Sequence, residues 1–308
     1  MPPPDPSPAV RAAARPGPSP RSGGAASGGA DASGGADGRG RTDPLRRGLT
    51  DDLRLAHLLA DDADSITMSR FKALDLQVST KPDLTPVSDA DTAVEESIRR
   101  TLARARPRDA VHGEEMADSG WGPRRWVLDP IDGTKNFVRG VPVWATLVSL
   151  MVNDEVVVGV VSAPALGRRW WASLGGGAYA GRSLMSPTPC RVSQVSAIED
   201  ASLSYASISG WVESGQGQEF VDLLRTCWRT RAYGDFWSYM LLAEGGVDIA
   251  CEPDLELHDM AACSVIVAEA GGRFTDLAGR PGPLGAGAYA TNGHLHDAVL
   301  AQLRPGEA

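Results

Sequence analysis

Cysteine is scarce in this 308-residue chain, and the four present, Cys190, Cys227, Cys251 and Cys263, lack the close spacing that builds a zinc site or a disulfide framework. They read as reduced, partly buried thiols, which is the cysteine usage of a cytoplasmic protein. No stretch reaches the roughly 18 uninterrupted apolar residues of a membrane-spanning helix, so no membrane partner is expected. A basic surplus is missing too. The net charge is −9, and residues 1–48 hold seven Arg against four Asp, a balance of +3 that leaves −12 on residues 49–308. So acidic a body excludes nonspecific nucleic-acid binding, which needs a basic face, and suits the capture of cations.

Residues 1–48 contain almost no large apolar side chains, being built of Pro, Gly, Ala, Ser and Arg. Such a segment cannot offset the entropy of ordering, so a disordered tail is expected there, without the apolar run of a signal peptide. The low-complexity repeat at Gly24–Gly38 is also what upstream sequence read from a misplaced start codon would look like.

The remainder is 42% hydrophobic over the whole chain, enough for a substantial core. Thr50, followed by Asp51 and Asp52 and by apolar Leu53, Ala56, Leu59 and Ala60, predicts a capped amphipathic helix running towards Met68. After a proline-bounded loop at Lys81–Pro86, Ser88-Asp89-Ala90-Asp91 signals a second helix, ending near Ala105 before Pro107. The two helices should pack together on one face of a sheet. Thr146–Asn153, Val156–Ser162 and Trp170–Leu174 are β-rich runs separated by short turns, the pattern of an antiparallel meander. Beyond a polar linker at Ser183–Ser196 the pattern alternates: strand Ala201–Ile208, helix Gln218–Trp228, strand Arg231–Tyr233, helix Asp235–Glu244, strand Val247–Cys251, helix Asp259–Ala270 and strand Arg273–Asp276. The class is therefore α+β, with an antiparallel half over 49–195 and an α/β half over 196–308.

Chemistry is concentrated in Trp126–Phe137, which reads Trp-Val-Leu-Asp-Pro-Ile-Asp-Gly-Thr-Lys-Asn-Phe. An apolar strand delivers Asp129, Asp132 follows three residues later, and Gly133-Thr134 opens a helix. Two carboxylates at the end of a buried strand cost several kcal/mol each unless a cation is near, and acidic oxygens without a neighbouring Lys or Arg in the strand suit Mg²⁺. Backbone N–H groups at Gly133-Thr134 would face an anion held by that metal, which together describes a phosphate clamp. His112-Gly113-Glu114-Glu115 lies upstream after apolar Val111, and Leu257-His258-Asp259-Met260-Ala261-Ala262 lies far downstream at the head of an apolar helix. Neither an Asp-x-Asp-x-Thr nucleophile motif nor a Cys-x₅-Arg loop is present.

Gly-Glu-Glu, Asp-Pro-Ile-Asp-Gly-Thr and Asp-x-Ala-Ala, in this order, resemble the inositol monophosphatase superfamily of Mg²⁺-dependent, lithium-sensitive phosphatases, from about Leu49 to about Leu303. Within it, Thr230–Thr275 looks like the bacterial histidinol-phosphate phosphatase branch, because Tyr233-Gly234-Asp235-Phe236-Trp237-Ser238-Tyr239 replaces a small-residue stretch and His258 stands where inositol phosphatases place Trp. The resemblance implies stacked α-β-α-β-α layers with the site where the two halves meet, and a homodimer. It implies two or three Mg²⁺ ions, replaceable by Mn²⁺ and opposed by Li⁺, held by Glu114, Asp129, the Ile131 carbonyl, Asp132 and Asp259. Glu114, Thr134 and Asp132 would be catalytic: Glu114 orients the attacking water, and Thr134, also a helix cap, accepts from that water and donates to Glu114. Substrate contacts would fall on Asp132, Gly133, Thr134 and Asp259, with Glu252 placed to bind an ammonium and Arg231 and Asp235 leaning towards the same cleft.

Other readings stay open beside these. Asp89 and Asp91 are equally well explained as helix caps or as neighbours of the site, and Glu115 as an acceptor behind the metal shell. Lys135 and Asn136 read as structural, Phe236, Trp237 and Tyr239 as core, and His258, His294 and His296 do not make a zinc set. The implied substrate is a small phosphate monoester, L-histidinol phosphate. Inositol-1-phosphate, fructose-1,6-bisphosphate or a 3′-phosphonucleotide are the alternatives on the same fold, and a non-catalytic metal-binding interaction protein is the alternative of another class.

Overall fold

The computed structural model of the chain describes residues 44–82, 84–182 and 184–303. Most of the expected tail therefore lies outside the described residues. Helix α1 (Pro44–Arg70) starts six residues before Thr50, so Thr50 sits inside it and does not cap it. Its buried Leu55, Ala56, Leu59, Ala60 and Ala63 recur at helical spacing and form one apolar stripe. A hairpin of β1 (Val78–Thr80) and β2 (Pro86–Ser88) leads into α2 (Asp89–Ala105). Here the expected cap is present as a capping box: the Ser88 hydroxyl accepts from the Ala90 N–H, and Asp91 accepts from the Ser88 N–H at 2.8 Å.

The first sheet has seven strands in chain order: β3 (Ala110–Gly113), β4 (Arg124–Asp132), β5 (Ala145–Val152), β6 (Glu155–Ala163), β7 (Arg168–Ser173), β8 (Gly177–Gly181) and β9 (Thr188–Pro189). Only β3 and β4 pair in parallel, and the remainder is the expected meander, carried two strands further. Strand β8 reads Gly-Ala-Tyr-Ala-Gly, which has no β-branched side chain and hence little local strand signal. A one-and-a-half-turn helix, α3 (Thr134–Val138), follows β4.

The second half contains β10 (Ser202–Ser204), α4 (Ile208–Glu213), α5 (Gly217–Thr226), β11 (Arg229–Arg231), α6 (Asp235–Ala243), β12 (Ile249–Glu252), α7 (Leu257–Glu269), β13 (Arg273–Thr275), β14 (Ala288–Thr291) and α8 (His296–Leu303). The run Ala201–Ile208 is thus a three-residue strand that gives way to α4 at Ile208, and β14 and α8 are additions to the sequence reading. The five strands order as β11-β10-β12-β14-β13, with β10 parallel to both neighbours and β14 antiparallel to both of its own.

Three apolar clusters show the layers. One joins α1 and α2 to the outer face of the seven-stranded sheet through Leu59, Ile98, Trp126 and Leu150. A second places α6 and α7 between the sheets, with Tyr239, Met240, Ile266 and Val267 packed among Leu147, Val161 and Ala290. The third sets α5 and α8 on the far side of the smaller sheet through Phe220, Leu223, Val299 and Leu303. The result is the expected α-β-α-β-α sandwich. Helix α7 is buried at eight consecutive positions, Met260–Val267, because it has a sheet on either side. Burying each large apolar side chain there contributes about 1.5–3 kcal/mol.

Candidate active site

The site forms where β4 ends, and the sequence makes that end irregular on purpose. Strand β4 pairs regularly with β5 up to Asp129, then its register shifts before Asp132. Pro130 has no N–H to give to a ladder, so the bulge falls where a donor is missing. The bulge aims both aspartates to one side. Oxygens of Asp129, Asp132 and Asp259 come within 4.8 Å of one another. Asp259 arrives from α7, where it is the third helical residue rather than the first, and its Oδ2 accepts from the Glu256 N–H at 2.7 Å.

Gly133 turns the chain from β4 into α3 with φ of +83°, and a β-carbon there would stand 3.1 Å from the Val143 carbonyl and 3.2 Å from Asp235 Oδ2. Only glycine meets both demands without strain. Thr134 corrects the sequence reading in two respects. Gly133, not Thr134, is the N-cap residue, and the Thr134 hydroxyl reaches the Ile131 carbonyl at 2.9 Å and Asp91 Oδ1 at 3.2 Å instead of Glu114. Asp91 is fully buried and also takes the Ser88 hydroxyl at 2.6 Å, so it both caps α2 and joins the site. Glu114 is held elsewhere: Lys81, on the loop after β1, contacts Glu114 Oε1 at 2.6 Å and Glu115 Oε1 at 2.7 Å. Burial works against the Lys81 ammonium, but the two carboxylates outweigh it and raise its pKa.

The Gly-Glu-Glu turn is fastened from behind by Glu95. This fully buried carboxylate on α2 accepts from the Glu115 N–H at 2.8 Å and from Arg99 at 2.7 Å, while Arg99 also donates to the Met116 carbonyl at 3.1 Å. A β-carbon on Gly113 would fall 2.1 Å from Glu95 Oε1, which is why glycine precedes the two glutamates. Sequence reasoning passed over Glu95. Its signal was a carboxylate four residues after Asp91 on the apolar stripe of α2, a position that is costly unless it has partners.

On the opposite wall, Asp132 Oδ2 accepts from the Phe236 N–H at 2.6 Å. Asp235 makes this possible by adopting a left-handed conformation with φ of +52°, one that Asp tolerates better than most residues. Asn136 donates to Asp235 Oδ2 at 3.2 Å and to the Val143 carbonyl at 2.9 Å, a structural role as expected. Glu252, at the end of β12, is buried, and its Oε1 has no hydrogen-bond partner among the described residues. Phe236 and Tyr239 are core residues, and Trp237 is half-buried against Tyr233. Arg231 is exposed, and its guanidinium donates to the Thr230 carbonyl at 2.7 Å and is not brought into contact with the carboxylates by any bond among the described residues. His258 is half-buried, 6.3 Å ring to ring from His112 and with its Nε2 3.7 Å from Asp259 Oδ1, while buried His296 is occupied by the Thr275 and Thr291 hydroxyls. Asp89, the first residue of α2, is paired with Arg70 at 2.6 Å.

Carboxyls this close and this deep hold their protons tightly. Burial first, then neighbouring carboxylates, raise Asp129 and Asp132 well above the usual carboxylate range. Glu252 is raised in the same way by burial and by Asp235 and Asp259. Asp235 is pushed up to about 6 by burial and Asp259, and Glu115 to about 7 by burial and Glu114, against the pull of Lys81. A raised folded-state pKa means that the native state binds protons more tightly than the unfolded chain, so stability falls as pH rises through that range. His57 and His296, lowered to about 4 by burial, act in the opposite sense below about pH 6.5. The metal-free protein is therefore expected to melt at progressively lower temperature as pH rises past about 6.5, where the histidines no longer oppose the loss and Glu115 still titrates near 7, with the slope flattened by divalent metal. Thermal melts in EDTA and in excess Mg²⁺ check this, and equal slopes would contradict it.

Whether the cluster fits a metal is decided by Asp129. Its Oδ1 is buried and has no hydrogen-bond partner among the described residues, so it lacks the counter-charge that a cation would provide. The donor set is all oxygen, which suits a hard divalent ion and not a thiophilic one.

Comparison with known proteins agrees with this geometry. Residues 50–307 match the model of the inositol monophosphatase family. The chain is 65% identical to a histidinol-phosphatase of Streptomyces coelicolor over 257 residues, 82% of this chain and 97% of that protein. It is 56% identical to a histidinol-phosphatase of Mycobacterium tuberculosis, covering 83% of this chain and 99% of that one. Among solved structures, the Thermotoga maritima IMPase superposes with a TM-score of 0.74 at 28% identity, over 83% of this chain and 97% of that one. A carboxylate triad at the bulged end of β4, in this layered sandwich, with similarity across nearly all described residues, has one consistent meaning: the chain belongs to the inositol monophosphatase family.

Proposed function

We propose that the protein is a cytoplasmic, Mg²⁺-dependent phosphomonoesterase that hydrolyses L-histidinol phosphate to L-histidinol and inorganic phosphate, a step of histidine biosynthesis. The carrying observation is the Asp129, Asp132 and Asp259 triad, Asp129 buried and the other two half-buried, in a chain 65% identical to a histidinol-phosphatase. Asp129, Asp132, Asp259, Glu114 and the Ile131 carbonyl would hold two or three Mg²⁺ ions, with Mn²⁺ as a substitute and Li⁺ as an inhibitor. Bound there, the metal supplies a lowered pKa for an attacking water and counter-charge for the phosphate oxygens.

The protein's own groups set the geometry. Asp91 and the Ile131 carbonyl take the hydrogen-bonding reach of the Thr134 hydroxyl, which leaves the Thr134 oxygen as an acceptor for a water proton. Glu114, with Glu115 and Glu95 fastening its turn, orients that water from the other side. The Gly133 and Thr134 backbone faces the phosphate. Glu252 and Asp235 are carboxyls on the opposite wall and would accept from the substrate ammonium, and Arg231 is proposed as a further substrate contact. The active form is proposed to be a homodimer, which sedimentation tests.

Substrate choice is checked through Glu252. Glu252→Gln removes a charge-assisted hydrogen bond worth about 1.5–3 kcal/mol, so kcat/KM for histidinol phosphate should drop roughly ten- to a hundredfold. An imidazolyl alkyl phosphate without the amino group should be cleaved almost equally by both proteins. Equal loss on both substrates would assign Glu252 to the metal shell, and a wild-type preference for inositol-1-phosphate would overturn the substrate assignment.

A further inference from the structure

A second concave feature lies at the far end of α6 from the carboxylates. Helix α6 presents the Phe236 N–H to Asp132 at its start, and Glu244, just past its end, lines a cavity of about 370 Å³. Eight residues of helix separate the two, so the cavity stands about 12 Å from the reaction centre at 1.5 Å per residue. Its volume lies within the range of small-ligand sites.

Arginine dominates the lining. Arg168, Arg182 and Arg191 are all present, over a floor that includes Ala180, Pro189 and Cys190. Arg168 is ion-paired with Glu244 and stacked over Trp170 with its guanidinium 4.7 Å from the ring centroid, and Glu244 also accepts from Trp170 Nε1 at 2.9 Å. That arrangement fixes one guanidinium and neutralises it. Arg182 lies over Gly167, its Nη2 3.4 Å from where a β-carbon would stand. Neither Arg182 nor Arg191 has an ion pair or side-chain hydrogen bond among the described residues. In a body of net −12, two cationic side chains without an acidic partner at one cavity run against the overall charge. Guanidinium forks match the paired oxygens of phosphate and carboxylate.

We propose that this cavity is a second binding site, separate from the reaction centre, for a small organic anion carrying two or more negative charges on phosphate or carboxylate groups. Arg182 and Arg191 grip the charged groups, and the fixed Arg168–Glu244–Trp170 unit with Ala180 and Pro189 forms the wall against which the ligand's body rests.

The test is calorimetric titration of the full chain in EDTA, where the bare carboxylate cluster repels anions and contributes no binding of its own. Pyrophosphate and citrate are the probes, representing the two head groups, with ionic strength held constant by chloride. The wild type should bind at least one of them with submillimolar Kd. The double variant Arg182→Gln, Arg191→Gln should bind about a hundredfold more weakly, from the loss of two charge-assisted contacts. Its turnover should be unchanged. A control of equal net charge, Arg104→Gln with Arg225→Gln, should bind as the wild type does. No binding of either probe at millimolar concentration overturns the proposal, as does equal loss in the control, which would reduce the effect to net charge.

Discussion

Asp129→Asn is expected to lower turnover by about three orders of magnitude, ~4 kcal/mol in the barrier, while the protein remains folded. The two halves of that expectation come from the same carboxyl. Asp129 is 1% exposed, its Oδ1 lacks a partner, and burial together with Glu114, Asp132 and Asp259 raises its pKa well above the usual range. An amide of the same shape removes one charge from the crowd, so the metal-free variant should melt at the same temperature as the wild type or above it in EDTA at pH 8. With metal the order should reverse, because the wild type gains binding energy that the variant lacks. Activity within tenfold of wild type would show that Asp129 is not a metal ligand. Melting well below the wild type in EDTA would show that its charge is compensated within the fold.

The second large effect should come from the Asp91–Thr134 contact. Thr134→Ala removes the hydroxyl that stands 3.2 Å from Asp91 Oδ1 and 2.9 Å from the Ile131 carbonyl, and kcat should fall by about 10²–10⁴, the usual range for loss of a positioned proton acceptor. KM should change little, since the phosphate clamp keeps its backbone and carboxylates. Thr134→Ser should restore most of the activity, because Ser keeps the hydroxyl and loses only a methyl group. Asp91→Asn is a harsher probe: Asp91 also accepts from the Ser88 N–H and hydroxyl, so stability should drop together with kcat. If Thr134→Ala loses affinity and not turnover, the hydroxyl positions substrate and does not act on water.

The carboxylate blocks were legible in advance because each is local. Asp129, Pro130 and Asp132 adjoin an apolar strand, and the Ser88–Asp91 capping box is a contact three residues long whose geometry any helix start reproduces. The meander of β5 to β7 was legible for the same reason, since side chains that alternate or run apolar over eight residues leave little choice of structure. Strand β14, reading Ala-Tyr-Ala-Thr amid glycine-rich loops, carried no such pattern and owes its conformation to pairing with β12 and β13. The start of α1 was misplaced because Thr50-Asp51-Asp52 imitates a cap within a helix whose register is set by packing on α2.

The sequence by itself determined the α+β pattern, the order of the motifs and the two carboxyls at the end of β4, Asp129 and Asp132, since these rest on neighbours within about one helical turn or on the alternation of one strand. The layers and the place of Asp259 beside those two were implied only by the family resemblance and are decided by packing. Only the tertiary structure decided the partners: Thr134 bonds to Asp91, 43 residues away, Lys81 spans 33 residues to Glu114, and Asp132 spans 104 residues to the Phe236 N–H. The physical reason is that a hydrogen bond tolerates only a few tenths of an ångström, while the separation of residues so far apart in sequence is set by sheet register and helix packing across two layers.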